Sequence, residues 1–532
     1  MSRTFLIASG APVEPELSAE LGPLPPAFLP LGNRRLFVHQ RAAIGDAADR
    51  VLLSLPERFV PDPSDARMLD ELGIERVGVP AGLTLGQSLV YVINVAAAAG
   101  APLSILHGDT LLRGLDMAAE DAISVESEAP PGYRWGHAHV EPDGVRVLPD
   151  AEPVTTANGA VLTGYFALAD ATLLVQTITR RGGDFLGGLA DYAERRPLAA
   201  LTGADWFDFG HASTYYGSRR RVSTARSFNR LVATRRTVVK SGADPEKIAA
   251  EAMWFESLPP PMRIHVPAYL GLRREGGQAS YALDYLNHPT LADLYVFGRL
   301  PRAAWDAILE ACDEFLLGCA DHAAPPAAAA PGLYLEKTLA RLERFAAATG
   351  IRLDRPCRLG GAWLPPLAAM AEMAAGLVPP PDALHLSLVH GDFCFSNILF
   401  DHRAALVRVI DPRGQDAAGR TSPHGDRRYD IAKLYHSAVG HYDIVVAGRY
   451  RLDRRAPLDM TLELDVGPAQ RTASEAFLAR SFGGLTHREA AAHPIAVLLF
   501  LSMLPLHADD PTRQAALLAN AMRLFLALDT VA

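Results

Sequence analysis

The first part of the chain alternates short apolar runs with amphipathic stretches. Runs that end at turns predict β-strands at residues 4–8, 51–55, 76–79 and 103–106. The stretch between Leu83 and Gly100, which ends in an alanine run, has helical spacing. Alternating strands and helices predict a mostly parallel sheet covered on both faces, and such a sheet binds ligands beyond the carboxyl ends of its strands.

The pattern changes around residues 219–228. A predicted strand ends at Lys240, and Asp244 with Pro245 then supplies the N-cap and first position of a helix. A further strand is predicted at residues 281–286, and helices are predicted at residues 291–300, 305–319 and 335–349.

These patterns predict two domains in the 532 residues. Residues 1–218 are expected to form an α/β domain with a doubly wound sheet. Residues 219–532 are expected to form an α+β domain in two parts, about 219–286 and about 287–532.

One carboxylate of the helix after Pro245 stands on its apolar face. Glu251 follows Ile248 by three residues and precedes Phe255 by four. A carboxylate in that position is costly without a partner, and Lys240 on the preceding strand is the predicted one. Protein kinases use such a Lys–Glu pair to position ATP phosphates. A solvated lysine and a helix-edge glutamate are the alternative.

Composition and charge narrow the function classes. Hydrophobic residues make up 49% and charged residues 21%, as in folded globular proteins. A net charge of −9 without a basic run predicts no nucleic-acid ligand. The four cysteines lack metal-ligand or disulfide spacing, and the longest apolar run, residues 496–506, is too short to cross a bilayer. We therefore expect a cytoplasmic protein without membrane insertion.

The most informative motif reads H-G-D-x-x-x-x-N at residues 390–397. A predicted hairpin follows and ends at Asp411. Protein kinases use H-R-D-L-x-x-x-N and a later aspartate. There the first aspartate receives the acceptor's hydroxyl proton, while the asparagine and the second aspartate hold magnesium ions. Asp392, Asn397 and Asp411 have that order.

These residues resemble the aminoglycoside phosphotransferase and choline/ethanolamine kinase superfamily, whose catalytic loop reads H-G-D-x-x-x-x-N. The resemblance implies a bilobal protein-kinase-like fold and phosphoryl transfer from ATP to a small-molecule hydroxyl. It implies that Asp392 is the catalytic residue and that Asn397 and Asp411 bind Mg²⁺.

The same resemblance implies an ATP-binding set before the catalytic loop. Lys240 would anchor the phosphates of ATP, and Glu251 would position Lys240. The segment containing Ser227 and Asn229 resembles the turn that covers the phosphates in choline-type kinases.

Polar clusters at predicted strand ends carry a second resemblance in the first domain. Residues 107–109 read H-G-D and residues 206–210 read W-F-D-F-G. With residues 25–36, they resemble the nucleotidyltransferases that activate sugar phosphates and phosphocholine, whose motifs read N-G-D and W-x-D-[IVF]-G. The resemblance implies a GT-A-like domain in which Asp109 and Asp208 bind Mg²⁺ beside CTP or another nucleoside triphosphate.

This second resemblance is incomplete at two positions. The family has a G-x-G-x-R loop after the first strand, whereas Gly10 here is followed by alanine and proline. The family's catalytic lysine aligns with Pro26, and Arg34 and Arg35 are the nearby cations. Two alternatives therefore stay open for this domain: nucleotidyl transfer, or binding of a nucleotide or nucleotide-sugar without chemistry.

Together the predictions describe a bifunctional protein of surface-polysaccharide type. An ATP-dependent kinase would phosphorylate a small alcohol, amino alcohol or sugar, and the first domain would convert the product to a nucleotide-activated form. The alternatives are a kinase regulated by a nucleotide-binding domain and an antibiotic kinase of aminoglycoside type. The sequence specifies neither the acceptor nor the oligomeric state.

Overall fold

The computed structural model describes most of the chain, namely residues 3–129, 133–149, 159–222, 229–325, 332–416 and 418–528. The chain divides into two compact units, Met1–Ser223 and Thr224–Ala532. That each unit is a separate functional domain stays a prediction.

The first unit contains thirteen strands and seven α-helices within the described residues. The strands β1–β13 are Thr4–Ala8, Pro30–Leu31, Arg34–Arg35, Arg50–Pro56, Ile74–Val79, Leu103–His107, Thr110–Arg113, Ala122–Glu126, His137–Glu141, Gly144–Leu148, Gly159–Leu168, Ala199–Leu201 and Asp205–Asp208. The helices α1–α7 are Pro15–Leu21, Leu36–Ile44, Pro63–Glu71, Leu85–Val95, Ala171–Arg180, Phe185–Ala193 and Ala212–Val222.

The main sheet of the first unit is mixed. Its strands follow the order β10-β9-β11-β6-β1-β4-β5, and β8 pairs with both β11 and β12. The neighbours β6, β1, β4 and β5 are parallel, as predicted, but β11 runs antiparallel to β6. A parallel return needs a crossover, usually a helix, and the described residues between β6 and β11 contain strands instead. The expectation of a mostly parallel sheet is therefore wrong for its β8–β11 half.

Helix α4 is shorter than predicted. It begins at a capping box formed by Thr84 and Gln87 and ends at Val95, before the alanine run. Ala97 has a φ of 52°, a left-handed conformation that ends helices. The helix still packs Leu89 and Val92 into the core above the sheet.

The second unit contains fourteen strands and ten α-helices within the described residues. The strands β14–β27 are Asn229–Ala233, Thr237–Gly242, Tyr269–Glu275, Gln278–Asp284, Cys357–Leu359, Ala362–Leu364, Leu386–Leu388, Ile398–Asp401, Leu406–Val409, His424–Asp426, Tyr450–Ala456, Asp459–Leu464, Ser481–Phe482 and Leu485–Thr486. The helices α8–α17 are Pro245–Ser257, Leu291–Phe297, Arg302–Ala320, Leu335–Thr349, Leu367–Gly376, Arg428–Ala438, Tyr442–Val446, Pro468–Leu478, Ala492–Met503 and Pro511–Leu526.

A four-stranded antiparallel sheet begins the second unit. Its order is β14-β15-β17-β16, and helix α8 packs against it. The Asp244 side chain accepts hydrogen bonds from the backbone N–H groups of Glu246 and Lys247 and so caps α8, as predicted. Strand β17, Gln278–Asp284, starts and ends earlier than the predicted strand at residues 281–286.

The rest of the second unit is mainly helical around α16. Residues Ala492–Met503 are apolar on all sides, and α16 packs against α11, α12, α13 and α17. The apolar run at residues 496–506 is thus mostly a central core helix. Across the described ranges, no helix is both long and apolar enough to span a membrane.

The H-G-D motif lies between short elements of this helical part. It follows β20, and its asparagine ends a 3₁₀-helix at Phe395–Asn397. The hairpin β21–β22 comes next and confirms the predicted strand–turn–strand. We call residues 390–397 the catalytic loop from here on.

Candidate active site

The Asp392 side chain is held from two sides. Lys433 Nζ lies 2.7 Å from Asp392 Oδ1. Asn397 Nδ2 donates to the Asp392 backbone oxygen at 3.0 Å and to Oδ2 at 3.1 Å. Burial opposes the charge, but Lys433 and then Arg413 lower the pKa of Asp392 below its ordinary value. The carboxylate therefore stays ionised and is 38% exposed, open to a substrate.

The backbone of the catalytic loop is fixed by Asp430 of helix α13. Its carboxylate accepts hydrogen bonds from the N–H groups of His390, at 2.7 Å, and Gly391, at 2.8 Å. Burial raises the pKa of Asp430 to about 7, against the lowering effect of these bonds. Gly391 has a φ of 77°, and a Cβ there would lie 2.8 Å from Arg413 Cβ. A side chain at this position would both strain the backbone and clash.

Lys240 contacts two carboxylates. Its Nζ lies 2.7 Å from Glu251 Oε2 and 3.1 Å from Asp411 Oδ1. Lys240 and Glu251 are 4% and 2% exposed, and Tyr281 donates a hydrogen bond to Glu251 at 3.0 Å. Burial lowers the pKa of Lys240, but Asp411 and Glu251 outweigh it, so the pKa is raised and the amine stays charged. The structure thus brings together the lysine and glutamate that the sequence pairs.

Helix α8, which carries Glu251, touches both loops of the site. Trp254 Nε1 donates to the Val389 backbone oxygen at 2.7 Å, immediately before the catalytic loop. Gly414, at a φ of 63°, leaves room for α8, because a Cβ there would lie 2.1 Å from the Ala250 backbone oxygen. Helix α8 is therefore in close backbone contact with the segment after Asp411, and a shift of the helix toward that segment would displace it.

Asn397 and Asp411 fit a magnesium site that the substrate completes. The Ile410 N–H donates to the Asn397 backbone oxygen at 3.0 Å, which places Asp411 next to the catalytic loop. Magnesium in kinases is held by one or two protein oxygen ligands plus substrate phosphates and water. No group of three or more His, Cys, Asp and Glu side chains within the described residues forms a metal cage. The donor set therefore fits Mg²⁺ bound together with ATP.

The ATP-covering turn is only partly described. Ser227 lies outside the described residues, and so does the side chain of Asn229. The backbone of Asn229 opens strand β14 and pairs with Gly242. Phosphate binding by Ser227 and Asn229 stays a prediction.

Several charged residues of the site escaped the sequence analysis. Lys433 and Arg413 set the charge of Asp392, and Arg413 also donates to the Tyr429 hydroxyl at 2.7 Å. The usable signal was on helix α13, where Asp430 and Lys433 stand three residues apart. That spacing puts both side chains on one face, so a helix that braces the loop also presents a cation to it. Asp430 lies in the first turn of α13, whose N-cap residue is Arg427.

The first unit has a cavity of about 670 Å³ that Asp109 and Asp208 both line. A Cβ on Gly210 would lie 2.7 Å from Asp109 Oδ2 and 3.5 Å from Asp208 Oδ1, so the two carboxylates are close neighbours. Burial, followed by the charge of Asp208, raises the pKa of Asp109 to about 7. We expected Asp208 to follow a strand of the main sheet. It instead ends β13, which pairs with β7 in a separate two-stranded ribbon.

Two histidines accompany this carboxylate pair. His211 Nδ1 lies 3.7 Å from Asp208 Oδ2, and this neighbour raises the pKa of His211. His107 lines the same cavity, and burial lowers its pKa to about 4. The pair of carboxylates is thus partly balanced by His211, which the sequence analysis did not single out.

Arg35 is engaged elsewhere and is no partner for the carboxylate pair. Its side chain is 2% exposed, and Nη2 lies 2.9 Å from Asp65 Oδ2. Nη1 donates to the Phe28 backbone oxygen at 2.8 Å. Arg35 therefore pairs with Asp65 rather than with Asp109 or Asp208, and Arg34 is exposed on strand β3. Pro26 begins a 3₁₀-helix and supplies no cation.

Comparison with known proteins identifies the C-terminal region. Residues 212–458 match the family described as the phosphotransferase enzyme family, abbreviated APH. The C-terminal region thus has that family's protein-kinase-like fold, and the kinase-like part of the fold prediction is confirmed. No curated protein matches the chain.

Among solved structures, similar chains include HddC and several aminoglycoside phosphotransferases. HddC from Yersinia pseudotuberculosis is 15% identical over 42% of this chain and 100% of its own, with a TM-score of 0.31. A thermostable mutant of aminoglycoside phosphotransferase APH(4)-Ia, in a complex with ADP and hygromycin B, is 13% identical over 57% of this chain and 92% of its own, with a TM-score of 0.34. APH(3'')-Id from Streptomyces rimosus is 17% identical over 51% of this chain and 91% of its own, with a TM-score of 0.32.

Proposed function

We propose, from the match of residues 212–458 to the phosphotransferase enzyme family, that the C-terminal region transfers the γ-phosphoryl group of ATP to a small-molecule hydroxyl. The observation that carries this proposal is a continuous set of contacts. Asn397 joins Asp392 to the segment of Asp411, and Asp411 joins Lys240, which pairs with Glu251. These are the groups that phosphoryl transfer needs at one place.

Each residue has a distinct role in this proposal. Asp392 orients the acceptor hydroxyl and takes its proton, and Lys433 keeps that carboxylate in place. Because the pKa of Asp392 is lowered, the residue is a weak base, so its main contribution is orientation in a loose transition state. Lys240 contacts the phosphates of ATP. Magnesium, held by Asn397 and Asp411, supplies the positive charge that phosphate oxygens need.

The test is phosphate transfer by the purified full chain. Choline, ethanolamine, glycerol-type alcohols and free sugars are incubated with Mg²⁺ and ATP, and phosphorylated products are detected by ³¹P NMR. Asp392→Asn is expected to lower turnover by roughly two to four orders of magnitude while ATP binding, measured by calorimetry, stays intact. Asp401→Asn in the next hairpin removes the same charge and is expected to be active. Equal activity of both variants would contradict the role of Asp392.

A second function is proposed for the first unit, where Asp109 and Asp208 line one cavity. Two adjacent carboxylates repel each other unless a cation lies between them, and this supports binding of a magnesium–nucleotide at that place. The nucleotide would be CTP or another nucleoside triphosphate. In surface-polysaccharide synthesis such a unit would convert the kinase product to a nucleotide-activated form.

Calorimetry separates the alternatives for the first unit. CTP, UTP, GTP and nucleotide-sugars are titrated with and without Mg²⁺. Magnesium-dependent binding with pyrophosphate release supports nucleotidyl transfer, and binding without release supports a regulatory unit. No binding in either condition would contradict both versions.

A further inference from the structure

A cluster of cations surrounds the hydroxyl of Tyr429. Arg413 Nη2 and Lys337 Nζ donate to this oxygen at 2.7 and 3.1 Å. Both charges also lie over the Tyr429 ring, at 4.7 and 5.1 Å from its centroid. Lys433 stands one turn further along the same helix and holds the Asp392 carboxylate. A phenol oxygen is thus the shared acceptor of two partly buried cations beside the catalytic loop.

These cations lack acidic partners. In the part of the chain that the structure describes, no carboxylate lies within ion-pair distance of Lys337, Arg341 or Arg413. Arg341, one turn after Lys337 on helix α11, donates to the Ser502 backbone oxygen at 3.2 Å. Burial and then Arg413 lower the pKa of Lys337 to about 8. The three cations are partly buried, and the carboxylates that act on Arg413, those of Asp392 and Asp430, lie beyond ion-pair distance. An anion placed among the cations would therefore relieve their mutual repulsion.

The cluster borders a cavity of about 650 Å³ in the second unit. Arg413 and Tyr429 line this cavity together with Gly391 of the catalytic loop. Four carboxylates also line it: Glu336 and Glu372 are exposed, whereas Asp416 pairs with Arg420 and Asp426 pairs with Arg428. The volume suits a small molecule, and Arg413 places one cation of the cluster on the cavity wall beside Gly391 of the catalytic loop.

We propose that the phosphate acceptor is a hydroxyl compound with an anionic group, a carboxylate or a phosphate, which Lys337, Arg341 and Arg413 bind. Oxygens of that group would replace the phenol oxygen of Tyr429 as acceptors for the two nearest cations. The cluster would repel a cationic acceptor such as choline or an aminoglycoside. This inference rests on the proposed kinase function and narrows its substrate class.

The first test compares neutral compounds with their anionic counterparts on the unmodified full chain. The sets are glycerol, glycerate and glycerol phosphate, and glucose, gluconate and glucose 6-phosphate, with choline as the cationic member. We expect kcat/KM to be at least about tenfold higher for an anionic member. The two anionic arms separate carboxylate from phosphate recognition. Equal or faster transfer to the neutral members or to choline would overturn the inference.

The second test uses variants on helix α11. Lys337→Met and Arg341→Met are expected to raise KM for the best anionic acceptor by roughly tenfold to a hundredfold and to leave KM for ATP unchanged. Lys337→Arg should restore most of the affinity. Arg344→Met, on an exposed position of the same helix, is the matched control and should change neither constant. An unchanged acceptor KM in the two cluster variants would overturn the inference.

The outcomes for the inference and for the kinase proposal differ. Transfer to neutral or cationic compounds alone overturns the inference and leaves the kinase proposal intact. Loss of both ATP binding and ATP hydrolysis in the unmodified chain overturns the kinase proposal. If ATP binds but no compound is phosphorylated, thermal unfolding decides: anionic compounds must raise the Tm more than their neutral parents, and an equal effect overturns the inference.

Discussion

At the scale of single residues, the site depends on charged side chains, Lys240 and Asp392, whose charged forms burial alone would disfavour. Burial raises the pKa of a carboxylate and lowers that of an amine. For Lys240 and for Asp392, opposite charges at hydrogen-bond distance outweigh this effect. Truncating one partner therefore leaves the other charged and buried, which costs more than the lost contact.

The pair of Lys240 and Glu251 is expected to act as one unit. Lys240→Met and Glu251→Gln should each raise KM for ATP by roughly tenfold or more, the worth of a charged hydrogen bond. The double variant should be little worse than either single change, since both remove the same function. Lys247→Met, on an exposed position of α8, is the control. Losses that add fully in steady-state kinetics would mean that the two residues work separately.

The Tyr429 phenol predicts a pH dependence of acceptor binding. Burial raises its pKa, but Arg413, Lys337 and Lys433 outweigh burial and lower it to about 7. Below that pH the phenol is neutral, and above it a phenolate competes with an anionic acceptor for the same cations, Arg341 included. KM for the acceptor should therefore rise as pH increases through about 7.

Tyr429→Phe separates this effect from loss of the Lys337 charge. The variant has no phenolate, so only the Lys337 step should remain in the profile of KM against pH. That step should lie at lower pH than in the unmodified protein, because the Tyr429 hydroxyl raises the pKa of Lys337. Both profiles are measured with the same acceptor and saturating ATP. Superimposable profiles for the two proteins would contradict the assignment to Tyr429.

At the scale of elements, helix α8 connects the ATP-binding lysine to the catalytic loop. It presents Glu251 to Lys240 and Trp254 to Val389, and its backbone passes closely over Gly414. A helix that touches both loops transmits a displacement at one of them to the other. Its position is therefore part of the active geometry.

Gly414→Ala is expected to disturb this packing. A Cβ at 2.1 Å from the Ala250 oxygen forces the loop or α8 to shift, which should cost roughly 1–3 kcal/mol and raise KM for ATP. Gly419→Ala in the same loop is the control, because its φ of 78° is similar but nothing lies within 4 Å of the added Cβ. Thermal unfolding and ATP kinetics measure both. Equal losses would assign the effect to backbone strain alone.

The spacing of polar residues predicted the catalytic loop and the Lys240–Glu251 contact because both are set by local geometry. A loop of fixed length and a helix of known period place those side chains within one or two turns. Lys337 comes from the distant helix α11, and only tertiary packing brings it to Tyr429. The cation cluster was therefore beyond reach of spacing rules.

At the scale of the whole molecule, the chain contains two units, and each has its own candidate site with carboxylates: Asp109 and Asp208 in the first, Asp392 and Asp411 in the second. The sequence predicted parallel strands β1, β4, β5 and β6 from continuous apolar runs. It did not predict β8–β11. Strands β8, β9 and β10 are short and carry polar residues, whereas the long apolar run of β11 was a usable signal. The proximity of Asp109 to Asp208 followed from the motifs rather than from the predicted sheet, since Asp208 ends a separate ribbon.

The two units are expected to function independently in their chemistry. Asp109→Asn should abolish magnesium-dependent nucleotide binding, and any pyrophosphate release, while phosphoryl transfer stays unchanged. The reason is that Asp109 and Asp208 together supply the charge for one cation. Asp205→Asn, exposed at the start of β13, is the matched control. Calorimetry and a kinase assay on the same samples test this, and a parallel loss of kinase activity would contradict it.

The ion pair between Lys240 and Asp411 makes ATP and its cation mutually dependent ligands. In the free protein Lys240 and Asp411 contact each other. The Lys240 amine is thus not free to bind the triphosphate, and the Asp411 carboxylate is not free to bind the cation. A divalent ion bound at Asp411 would free Lys240 for the triphosphate, and a triphosphate bound at Lys240 would free the Asp411 carboxylate for the cation. By thermodynamic reciprocity, each ligand must raise the affinity of the other by the same factor. ATP titrated in the presence of a chelator should therefore bind far more weakly than ATP with excess magnesium, and Asp411→Asn should reduce this difference.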